Sequence, residues 1–226
     1  TESGKQLLLK VHKQIINITD KTKKKKDGTI VIERSLLSEN DARIVRAYIL
    51  RMYQYNPLSL QDLNFDLRDD LPLGDLGRVD PKSPNTVQLS NKLAGDGHRA
   101  VTTIVHELAH VNTLKFVDLK SSDYKNWLFA FRSDAGKSWL RKMVVSWEGG
   151  VETVVTDGLV DHYMSKPEEF MAAMVQYSML NDIASISNLK NFNKSETAVH
   201  QGTMGVVKKV MQFVKRQFIR LTSVFN

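Results

Sequence analysis

Apolar positions along the chain change their spacing several times, and each change marks a predicted element. Residues 7–18 (Leu-Leu-Leu-Lys-Val-His-Lys-Gln-Ile-Ile-Asn-Ile) and 29–33 are dense in aliphatic residues and lean towards strand. The lysine run between them ends on Asp27-Gly28, a tight-turn signal, which predicts a hairpin with the lysines at a solvated loop tip. Ser38 and Asp41 then resemble a capping box, and Ile44, Tyr48 and Met52 recur at helical spacing until Pro57. Residues 57–86, rich in Pro, Gly and Asp, read as irregular. Thr86–Ser90 is a short strand, Gly95-Asp96-Gly97 is a turn, and a helix runs from about His98 to Phe116. Later periodicity predicts helices near 123–147, 149–163, 167–182 and 203–222. The pattern is a helix-rich α+β chain whose few strands form a small β-sheet in the N-terminal half.

Length and the lack of repeats or long linkers predict a single domain over 1–226, with a β-containing part to about residue 95 and a helical part from about 96. No apolar run is long enough to span a membrane, so no transmembrane segment is expected. The net charge of +7 favours acidic partners, but no aromatic–basic motif or known module accompanies it, and no nucleic-acid partner is expected. There are no cysteines, so a transition-metal site here has to use His and carboxylates.

Such a site is suggested by His106-Glu107-Leu108-Ala109-His110. Histidines at i and i+4 stack on one helix face, close enough to share an ion. Ile104, Leu108 and Val111 form an apolar stripe roughly opposite. Glu107 stands beside the ion's position, not on it, where it can take a proton from activated water and pass it to a leaving amine. Zinc (Zn2+) suits this chemistry because it polarises a carbonyl and acidifies water.

The third ligand is not adjacent in sequence. Metzincins place a third His where Phe116 stands, so that class is excluded. His98, His162 and His200 lie in no ligand pattern, which leaves a glutamate from a later helix. One candidate is Glu148 in Trp147-Glu148-Gly149-Gly150, which echoes a Glu-Gly step of aminopeptidase-type gluzincins. The other is Glu169, beyond Ser165 as N-cap, Pro167 in the first turn and Glu168 as the capping-box partner. Ala172 and Ala173, at +3 and +4 from Glu169, allow close helix packing and favour it, with Glu148 still open.

Val105–Val111 followed by Tyr163 and Pro167-Glu168-Glu169-Phe170-Met171-Ala172-Ala173 resembles the catalytic domain of anthrax lethal factor and related bacterial toxin zinc proteases. The resemblance covers roughly residues 85–182 and implies a zincin-like metallopeptidase fold. It implies His106, His110 and Glu169 as metal ligands, Glu107 as general base and Tyr163 as the donor to the oxyanion. Tyr163 stands one residue closer to Glu169 than the family spacing, which leaves His162 as a substitute donor, and Ala173 stands where the family has Glu. The resemblance further implies an endopeptidase that is secreted or translocated into a host cytosol and cleaves a host protein as a toxin or virulence effector. By the same analogy, Thr86–Ser90 would pair with the extended substrate.

Overall fold

The computed structural model describes residues 4–27, 29–33, 35–55, 57–80, 82–116, 120, 122–147 and 157–186. Glu148, His200 and the helix expected at 203–222 lie outside these. Two compact units divide the chain, residues 1–111 and 112–226, and the division falls inside one helix.

The first unit opens with helix α1 (Gly4–Asn17), where aliphatic content suggested strand. Leu7, Val11 and Ile15 are four residues apart, lie on one helical face and are all buried, with α1 packed on the next helix. That stripe outweighs the intrinsic β preference of Val and Ile, which is weak against tertiary burial. Strands β1 (Lys21–Lys24) and β2 (Ile30–Glu33) then pair antiparallel, Lys21 opposite Glu33 and Lys24 opposite Ile30. The hairpin expected from Asp-Gly is present, but part of the lysine run lies in β1 and not in a loop. The Asp27 carboxylate accepts from the Thr29 amide at 2.9 Å, which closes the turn and holds the carboxyl below its usual range.

Helix α2 (Glu39–Tyr55) carries the reciprocal cap that the sequence suggests. The Asp41 amide donates to Ser38 Oγ at 3.2 Å and the Ser38 amide to Asp41 Oδ2 at 3.3 Å. Tyr48 and Met52 are buried with Ala42, Val45 and Ile49.

The supposedly irregular stretch holds a 3₁₀ turn (Pro57–Leu60) and the strands β3 (Asn64–Arg68) and β4 (Gly77–Asp80). Both strands pair with β5 (Ser83–Ser90), β3 parallel and β4 antiparallel. The order β3-β5-β4 makes β5 the central strand. Thr86–Ser90 is therefore strand as expected, but its hydrogen-bonding edges are both taken and it cannot receive a substrate strand. The outer edge of β3 is partly capped too: the Gln14 side chain donates to Leu63 O at 2.9 Å and accepts from the Phe65 amide at 2.8 Å. A second 3₁₀ turn (Asn91–Leu93) leads to helix α3 (Gly97–Phe116).

In the second unit the described residues form α4 (Ser122–Arg132), α5 (Asp134–Trp147), α6 (Asp157–Tyr163) and α7 (Pro167–Ile186). The sequence periodicity merged α4 and α5, which break at Ser133. From Phe170 to Leu180 every residue of α7 except Ser178 is buried, so this helix is the apolar centre of its unit. Its first backbone bond runs from the Phe170 amide to the Lys166 carbonyl at 3.1 Å. Lys166 is therefore the N-cap and Pro167 the first helical residue, one position later than the Ser165 cap expected.

Candidate metal centre

Helix α3 is launched by a turn in which Gly95 adopts φ +90°, a conformation that suits glycine. Asp96 then caps it, its carbonyl accepting from the Ala100 amide at 2.9 Å and its carboxylate from the Arg99 amide at 3.1 Å. Ile104, Leu108 and Val111 are buried to within 1% of completely, fixing the helix's rotation. That rotation is what aims the polar positions of the motif.

His106 and His110 retain 8% and 7% of their exposure and Glu107 retains 6%. The two imidazoles stand edge to face, centroids 4.6 Å apart and planes at 86°, with Nε2 atoms 3.1 Å apart. Two nitrogens on one tetrahedral zinc, each at about 2.0–2.1 Å, stand about 3.3–3.4 Å apart. The observed separation is within about 0.3 Å of that spacing, and it is also the distance of a hydrogen bond between the two rings. His106, His110 and Glu169 each offer a ligand atom, and these atoms all lie within 4.8 Å of one another. This group could hold a metal ion. Two imidazoles and a carboxylate are a donor set that suits a transition-metal ion. The Glu169 side chain keeps 23% of its exposure.

Of the further histidines, His162 Nε2 lies 3.9 Å from Glu169 Oε2, with the His162 side chain 62% exposed. His98 is exposed at the start of α3. Tyr163, at the end of α6, is buried, and its hydroxyl is 3.2 Å from that of Tyr177.

A residue with no signal in the sequence also belongs to the site's surroundings. A Cβ on Gly77 would stand 2.6 Å from Thr103 Cγ2 and 3.0 Å from Glu107 Cγ. Strand β4 therefore runs against α3 at the buried carboxylate, at a distance only glycine permits. A single Gly in a Pro- and Asp-rich stretch does not announce such a contact.

Comparison with models of known families, with curated proteins and with solved structures finds no match to this chain.

Proposed function

We propose that the protein is a zinc-dependent endopeptidase with a zincin-like catalytic arrangement. The observation that carries this reading is the convergence of His106, His110 and Glu169, with Glu107 on the same helix between the two histidines. Zinc held there supplies a charge that polarises a carbonyl and acidifies water. The chain's own residues do the rest. His106, His110 and Glu169 anchor the ion, and burial of both imidazoles keeps competing water from the donors. Glu107 accepts a proton from the attacking water and returns it to the departing amine. β4 closes one end of the three-stranded sheet and passes beside Glu107, so its outer edge suits an extended peptide added as a further strand. The lethal factor resemblance extends the proposal to a secreted or translocated toxin acting on a host protein, with Tyr163 or His162 as oxyanion donor.

The test combines metal uptake with turnover of a peptide library. Wild type and Glu107→Gln are expected to bind a single zinc ion per chain, and Glu169→Ala to bind it weakly. Glu107→Gln is expected to lose about 10²- to 10⁴-fold in cleavage, because Gln cannot accept the proton. A wild-type chain that takes up no zinc, or a Glu107→Gln chain that cleaves at the wild-type rate, refutes the proposal.

A further inference from the structure

Residues 4–33 carry most of the excess charge of the chain. Eight lysines stand there against Asp20, Asp27 and Glu33, a net +5 out of +7. The segment contains no Arg, Phe, Tyr or Trp. Lys21, Lys23, Lys25 and Lys26 are exposed along the β1–β2 hairpin. Beside them Ile30, the cross-strand partner of Lys24, keeps 67% of its exposure. Helix α1 repeats the combination: Lys5, Leu9, Lys13 and Ile16 fall within about 80° of one another around its axis, with Leu9 and Ile16 each 52% exposed.

A nucleic-acid surface is a poor match for this chemistry. Bidentate phosphate and base contacts need the guanidinium fork, and single strands need aromatic rings to stack on. An aliphatic side chain among ammonium groups has no role on a phosphate backbone. At a bilayer the two fit together, the ammonium groups at the headgroups and the aliphatic side chain below them. We infer that the β1–β2 hairpin docks the protein peripherally on a lipid surface rich in anionic headgroups. No helix among the described residues is long and apolar enough to cross a membrane.

The experiment floats the full chain with vesicles of phosphatidylcholine alone, or with about one third phosphatidylserine, at low and high salt. Wild type is expected to partition onto the anionic vesicles only. Lys21→Gln with Lys25→Gln and Lys26→Gln is expected to weaken partitioning about 100-fold, about five-fold for each charge. The control triple Lys82→Gln, Lys92→Gln and Lys142→Gln removes the same charge at positions that are also exposed and is expected to cost less than about five-fold. Ile30→Ser is expected to lower the binding that survives high salt, where charge is screened. Equal losses from the two triples would reduce the effect to net charge and overturn the assignment. So would wild type that ignores phosphatidylserine, Ile30→Ser that binds like wild type at high salt, or tighter hairpin-dependent binding to duplex DNA or single-stranded RNA. None of these readouts depends on metal or peptidase activity.

Discussion

Replacing Gly77 by Ala inserts one methyl group between β4 and α3. Its carbon would sit 2.6 Å from Thr103 Cγ2 and 3.0 Å from Glu107 Cγ. Non-bonded carbons settle about 3.5–4.0 Å apart, so the overlap is about 1 Å against Thr103 and about half that against Glu107. The branched Cβ of Thr103 leaves it few helical rotamers with which to move aside. Overpacking of this kind costs about 1–3 kcal/mol, and the lost unfolded-state freedom of glycine offsets about 0.4–1 kcal/mol. The expected net destabilisation is about 1–2 kcal/mol, read as a lower urea midpoint at unchanged slope. Thr103→Ser keeps the hydroxyl and deletes the clashing methyl. In a cycle of the four proteins, the double variant is expected to recover about 1 kcal/mol relative to the sum of the single changes. Strict additivity would refute the contact as the cause. The overlap with Glu107 persists in the double variant, so on the proposed peptidase reading turnover is expected to stay about 10²-fold low even when stability returns.

Other consequences can be measured separately. Tyr163→Phe removes a hydroxyl that lies 3.2 Å from Tyr177, and if that hydroxyl also serves the oxyanion, kcat should fall by about 10²- to 10³-fold with KM little changed. Unaltered kcat would leave Tyr163 a packing role and point to His162. Ser38→Ala removes the reciprocal cap of α2 and is expected to cost about 0.5–2 kcal/mol by denaturant titration. Partial burial, with the nearby Arg46 charge, lowers the His12 pKa below its usual value of 6.5. A lowered folded-state value favours the neutral ring, so this stability is present above pH 6.5 and is lost as pH falls through the folded-state pKa. Thermal unfolding of His12→Gln is expected to decline less than wild type on acidification, and parallel pH profiles would refute this.

What could be read directly in the sequence was local. The His106–His110 spacing, the Ser38–Asp41 cap and the β1–β2 turn closed at Asp27 each act within about one turn of chain, and all are in place. Helix α1 was misread because its Leu and Ile content was weighed above the four-residue spacing of Leu7, Val11 and Ile15. β3 and β4 were missed because each is only four or five residues long, with Asp66, Gly77 and Asp80 interrupting any alternation. Their pairing with β5 supplies the strand character that their composition lacks. The third donor is 59 positions beyond His110, so sequence left Glu148 and Glu169 competing, and only Glu169 falls among the described residues.

The mixed pairing of the three-stranded sheet also sets an order of assembly. β4 and β5 are joined through residues 81–82, so their ladder zips up as a hairpin, an event of about 1–10 μs. β3 must find β5 across a far longer span, Asn64 meeting Thr86, and has to close that loop in parallel register before any of its bonds repay the entropy. Its far side is held by Gln14, which is in place only once α1 has docked. The outer edge of β3 is therefore tied to the first helix of the chain, and loosening α1 is expected to raise solvent exchange of the Phe65 amide.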